Sequence, residues 1–316
     1  MWNKLGGAVM ALCLIVWPAV GNARNYDLQP SSSWLMDYAP DSCRLMRKFG
    51  TDDDQVVVQM TRYQPSDRLE LNLIGNPLTK LHDASTARVR FGTTGDFARV
   101  RAFPGGTDSI PVLFLAVRLD NAAADGTPIR SGEENSLRSP IRWTLVDEEN
   151  GPAVEPGTEA GITDVTVEVG QRTIHLQLGD MTKPMAALRK CTEDLVHLWG
   201  LDPVAQAGLA SPPKPVDNLH SWLTTTYTNV LAFDSERAIV HFRLMVDTEG
   251  RPSSCTVQSN IEVSQHFSTP GCAALMKHAR FTPARSPDGR AVASYYTLRS
   301  VWFMPRTAIE RRLMVQ

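Results

Sequence analysis

What the chain lacks limits it first. Beyond residue 20 it has no apolar run of the roughly 20 residues that a membrane-spanning helix needs. It contains no G-x-S-x-G elbow, no Walker or G-x-G-x-x-G loop, no H-E-x-x-H and no C-x-x-C. Serine-nucleophile, nucleotide-phosphate and zinc-hydrolase chemistry therefore have no local signature. The histidines, His82, His175, His197, His220, His241, His266 and His278, stand apart and read as surface or hydrogen-bonded polar residues. One S-x-x-K, Ser211 to Lys214, lies among prolines that forbid the helix such a pair needs. A large excess of one charge is absent too, with 32 basic against 34 acidic residues. No enzyme activity, metal, cofactor, small-molecule substrate or nucleic-acid partner is expected.

What is present begins with a leader. Lys4, an apolar run over residues 5–20, and the small residues Gly21 and Ala23 read as a secretory signal over residues 1–23. As a helix, sixteen residues rise only about 24 Å, against a bilayer core of roughly 30 Å. Leu12 ahead of Cys13 does not fit a lipoprotein site. A soluble, periplasmic chain starting at Arg24 is expected, with a retained inner-membrane anchor as the alternative.

Cys43, Cys191, Cys255 and Cys272 remain, an even number that favours disulfides in an exported chain. Three connectivities are open to them, and buried free thiols are the alternative. Cys43 and Cys191 mark the ends of the first half, and Cys255 and Cys272 lie close together in the second. Pairing within each half is the simplest choice.

Residues 24–200 read as a β-rich domain. Short segments at 55–62, 69–74, 87–91, 111–119, 141–146, 163–169 and 172–178 alternate in the manner of strands, which suggests a sandwich or barrel. Residues 121–138 read as a long surface loop. Residues 181–199 turn helical, with Met185, Leu188, Leu195, Val196 and Leu198 near one face. Four prolines at 201–218 predict an extended linker.

Beyond the linker, residues 219–305 spell a short helix at 219–226, a strand at 238–247, a turn, a strand at 252–258, a helix near 272–279 and a last strand at 291–304, followed by a tail at 306–316. In the first of these strands Val240, Phe242, Leu244 and Val246 share one face and Ile239, His241, Arg243 and Met245 the other. The aliphatic and aromatic face should meet the helices. Net charge divides by half: −7 over residues 24–219 and +4 over 220–316. Opposite signs can draw the halves together or steer the basic half toward an acidic partner.

Three blocks carry a family resemblance: AIVHFRLMVDTEGRPSSCTV at 238–257, GCAALMKHARFTPARSPDGRAVASYY at 271–296, and VWFMP at 301–305. Together they resemble the TonB C-terminal domain, with its V-x-F-x-V-D-x-x-G-x-P turn, R-F-x-P-A helix end and final strand. The whole chain is similar to alphaproteobacterial members that carry an extra N-terminal domain. Two positions depart: Tyr227-Thr228 stands where Tyr-Pro is common, and Ser259-Asn260-Ile261 where Ser-Ser-Gly is common.

The resemblance implies an α+β domain, a three-stranded antiparallel sheet with two helices on one face. It also implies that the domain binds an envelope protein, such as an outer-membrane receptor, by strand addition. The expected edge is the last strand: Tyr295, Tyr296, Thr297, Leu298, Arg299, Ser300, Val301, Trp302 and Phe303. Two alternatives are an energy transducer anchored in the inner membrane, acting in receptor-dependent transport, and an enzyme with its site in the first domain.

Overall fold

The computed structural model describes residues 23–81, 84, 86–107, 109–121, 142–147, 159, 161–216, 223, 238–258 and 265–303. The leader at 1–22, the loop after Asn121, the short helix at 219–226 apart from Leu223, and the tail at 306–316 lie outside the described residues. The fold is mixed α+β and strand-rich, with two separate hydrophobic cores.

Strands of the N-terminal unit are β1 (Arg24–Leu28), β2 (Leu35–Ala39), β3 (Ser42–Phe49), β4 (Val56–Arg62), β5 (Arg68–Ile74), β6 (Thr86–Phe91), β7 (Ala98–Gly106), β8 (Pro111–Arg118), β9 (Arg142–Asp147), β10 (Val165–Val169) and β11 (Arg172–Leu176). All but β9 join one curled sheet in the order β1-β11-β10-β6-β7-β8-β5-β4-β3-β2, antiparallel except for the β1–β11 pair. β7 turns the corner, because Ala98–Arg101 pair with β6 and Ala102–Gly106 pair with β8. Just past β1 the chain reaches the far side of the sheet, where Ser31 N–H donates to Lys48 O (2.8 Å) and Gly50 N–H to Gln29 O (2.8 Å). Period-two alternation buries Val56, Val58, Met60, Leu69, Leu71, Leu73, Leu113 and Leu115 together.

Helix α1 (Thr182–Leu198) closes this core with Met185, Leu188, Cys191, Leu195 and Val196. Leu198, expected on the same face, is 72% exposed, since at 3.6 residues per turn it falls past Cys191 at the rim of the buried stripe. Cys191 is bonded to Cys43 of β3 (Cα–Cα 6.0 Å). Closing a loop of 148 residues removes about 5 kcal/mol of chain entropy from the unfolded state.

Over its described part, residues 201–216, the segment expected as an extended linker at 201–218 is held against the C-terminal unit. Helix α2 (Pro203–Ala207) starts at Asp202, whose Oδ1 accepts the Val204 N–H (2.9 Å). Downstream, β12 (Lys214–Pro215) pairs with β15 (Phe281–Thr282), and Ala210 N–H donates to Arg285 O (2.8 Å). The prolines donate nothing, but the amides between them bond to the C-terminal unit, so the segment is a strap laid along it.

The C-terminal unit holds β13 (Ala238–Val246), β14 (Pro252–Val257), α3 (Gln265–His278), β15, β16 (Ala284–Arg285), β17 (Ala291–Val292) and β18 (Ser294–Phe303). Val240, Phe242, Leu244 and Val246 of β13 are buried with Leu223, Leu275, Phe281 and Leu298, the face the alternation predicts. Gly250 in the β13–β14 turn has φ +77°, and a Cβ there would lie 1.9 Å from Phe281 O, so only glycine fits. Cys255 of β14 is bonded to Cys272 of α3 (Cα–Cα 5.6 Å). Instead of the three strands expected, the sheet has four, ordered β14-β13-β18-β9.

Candidate functional site

The second face of β13 carries polar side chains, which need partners if they are buried. They find them on the N-terminal unit. His241 Nε2 lies 3.1 Å from Glu70 Oε2, and the Tyr63 ring stacks on the imidazole with centroids 3.8 Å apart. Asn72 Nδ2 donates to the other oxygen, Glu70 Oε1 (3.0 Å). From β18, Arg299 Nε approaches Glu70 Oε2 at 3.9 Å, while its guanidinium lies 5.3 Å from the Phe103 ring centre. Two residues further along β13, Arg243 donates to Asp41 Oδ1 (2.9 Å) and Thr256 Oγ1 (3.1 Å) and packs over Trp199. Gln258 Nε2 donates to Tyr63 O (2.9 Å) and Asp41 O (3.1 Å). Both units are thus joined by a polar seam, with carboxylates on the acidic side and His241, Arg243 and Arg299 on the basic side.

Local sequence explains the N-terminal half of the seam. In β5, Leu69, Leu71 and Leu73 point into the core, so alternation sends Arg68, Glu70 and Asn72 to the opposite face. Burial alone pushes the Glu70 carboxyl up, and it is the largest single influence. The hydrogen bond and charge of His241, the charge of Arg299 and the Asn72 amide together outweigh it, and hold the group down at about 2. Burial also lowers Arg243, against the opposing pull of Asp41.

Between the units Tyr63, Gln64, Arg68, Glu70, His241 and Arg299 line a small cleft with about 300 Å³ of empty space, part of it open to solvent. Its enclosed room is on the order of one water molecule, far below what a small-molecule site occupies. A second buried ion group ties α1 to the sheet. Glu159 pairs with Arg189 of α1 and with Arg62 of β4 (3.5 Å). Burial lowers Arg62 to about 10; Asp67 opposes that shift and Arg189 adds to it.

The four cysteines form the two bridges expected within each half. Tyr295 to Phe303 do lie on the last strand, but that strand is not an edge. β18 pairs with β13 on one side and with β9 on the other, over six register pairs from Leu298↔Asp147 to Phe303↔Arg142. The segment near 141–146, expected in the N-terminal sheet, supplies this strand. Thr297, Leu298, Arg299 and Ser300 are buried, and the outer strands of the sheet are β14 and β9.

Sequence reasoning missed Glu70, Tyr63, Asn72 and Asp41. The usable signal was the Glu-x-Asn alternation inside a leucine-rich strand, a polar face that only a second unit could cover. Among the described residues no three His, Cys, Asp or Glu side chains converge as metal ligands, and no helix is long and apolar enough to cross a membrane. No family model, curated protein or solved structure matches the chain.

Proposed function

We propose that this is an exported, TonB-like binding protein that engages another protein of the cell envelope by strand addition to its C-terminal sheet. One observation carries the reading. β18 accepts β9, a strand that lies about 150 residues earlier in the chain, through main-chain pairing along six positions. Such a ladder asks for an extended backbone rather than a particular side chain, which is the basis of strand-addition recognition. The order of strand, glycine turn, strand, helix and strand, with the aliphatic face of β13 under α3, agrees with the family resemblance of the sequence. The two disulfides suit an oxidising compartment, as the periplasm is.

The strap at 201–216 argues for binding without force transmission. A spacer that relays pull has to be free to extend, whereas this segment is bonded along β15 and β16. The cleft at the seam is read as architecture and not as a reaction centre. With its carboxyl held at about 2, Glu70 is too weak a base to take protons at neutral pH, and its oxygens are engaged by His241 and Asn72.

In-cell photocrosslinking from position 303 of the full chain tests the reading. The expected result is a discrete adduct with a second envelope protein, mapped by mass spectrometry to one extended segment. Adducts only to residues 142–147 of the same chain, under every growth condition, refute it.

A further inference from the structure

β9 belongs to the N-terminal unit by sequence and to the C-terminal sheet by hydrogen bonding. Among the described residues no other ladder depends on it. β8 is already paired on both sides, with β7 and β5, and β10 with β11 and β6. β18 keeps nine register pairs with β13 whether or not β9 is present. Residues 119–141 and 148–164 connect β9 to β8 and β10. Leu119, Asn121, Glu159 and Ile162 are held in the N-terminal unit, so the tethers proper are residues 122–141 and 148–158. At up to about 3.3 Å per residue they span at most roughly 65 Å and 35 Å, which still lets β9 leave β18 without unthreading either neighbour.

We propose that β9 is a resident stand-in for the partner. It occupies the β18 edge in the unbound protein, and the partner must displace it to bind. The occupant it stands in for is an extended segment of about six residues, antiparallel to β18 and paired over Leu298–Phe303. β9 itself, RWTLVD, is the chain's own example of a sequence this edge accepts. The inference rests on the strand-addition reading of the C-terminal sheet and adds its regulation. A tethered strand acts at an effective concentration in the millimolar range. If β9 itself holds the edge with an intrinsic Kd of about 10 μM, an effective concentration of about 1 mM weakens the apparent binding of any incoming segment by about 100-fold. Only a partner that binds tightly, or one delivered at high local concentration, opens the edge.

The test uses the full chain and a fluorescein-labelled peptide of residues 140–149, PIRWTLVDEE. Three proteins are titrated by fluorescence anisotropy: the parent, a variant with residues 142–147 replaced by GSGSGS, and Leu145→Pro. Both variants are expected to bind the peptide about 100-fold more tightly than the parent. Affinities equal within about threefold overturn the displacement proposal and leave strand addition standing. No binding by any of the three, with both disulfides intact, overturns both readings.

Hydrogen exchange on the unmutated chain gives an independent check should the variants misfold. Saturating peptide is expected to strip protection from 142–147 while 298–303 stay protected. Retained protection at 142–147 under saturating peptide overturns the proposal.

Discussion

Replacing Glu70 by Gln removes the charge at the centre of the seam and leaves its shape nearly unchanged. In the folded chain the carboxyl is held at about 2, against 4.5 for a free glutamate side chain. The folded value is the lower of the two, so the ionised group favours the folded state. Its contribution is complete above pH 4.5 and disappears as pH falls toward 2. At about 1.4 kcal/mol per pH unit, the difference amounts to roughly 3 kcal/mol at neutral pH. That lies within the usual cost, about 3–5 kcal/mol, of removing one partner from a buried ion pair. Urea unfolding of the parent and Glu70→Gln, followed by tryptophan fluorescence, measures it. The gap is expected to be about 3 kcal/mol at pH 7 and to shrink to about 1 kcal/mol at pH 3, where the parent has lost roughly two-thirds of the effect. The parent-minus-variant difference cancels the titration of other carboxylates. A gap below about 0.5 kcal/mol at pH 7, or one that does not change between pH 7 and pH 3, refutes the assignment of Glu70 as the ionised centre of the seam.

Gly250→Ala forces a side chain into a left-handed turn and against Phe281 O. A loss of more than about 2 kcal/mol is expected in the same assay, and unchanged stability refutes the close approach. The Cys255→Ser, Cys272→Ser double variant should lose about 3 kcal/mol, the entropy of closing a loop of 17 residues. Non-reducing peptide mapping of the parent must recover this bridge and the Cys43–Cys191 bridge, and any crossed pairing contradicts the structure.

Much of the C-terminal unit was legible along the chain. Val240, Phe242, Leu244 and Val246 alternate without interruption, and the Asp247–Gly250 turn carries its own conformational requirement, so both follow from neighbouring residues. Pairing of the four cysteines within halves was the simplest of three connectivities, and the structure has it, with Cys43 and Cys191 brought together across 148 residues. Less of the N-terminal sheet could be read. β3, with Arg44, Arg47 and Lys48 among its apolar residues, and β7, ending in Pro104-Gly105-Gly106, look poor as isolated strands. They are strands because the strands next to them in sequence take up their backbone, β2 and β4 on the two sides of β3 and β6 and β8 along successive halves of β7, and that pairing overrides local preference.

The proline-rich segment at 201–218 and the last strand show the same division. Composition identified prolines that end helices and leave donors unpaired, but not the carbonyls of Arg280 and Arg285 that the remaining amides would meet. Alternation identified β18 as a strand, yet whether it is an edge depends on a segment about 150 residues away. The sequence by itself determined the buried face of β13 and the opposite charges of the two halves, because these depend on residues close together or on composition, and it made pairing within each half the simplest of three disulfide connectivities. Only the tertiary structure decided that His241, Arg243 and Arg299 meet Glu70 and Asp41 across a seam, and that β9 closes the edge of β18. Those contacts join groups on different units, and neither periodicity nor spacing along the chain encodes which surfaces meet.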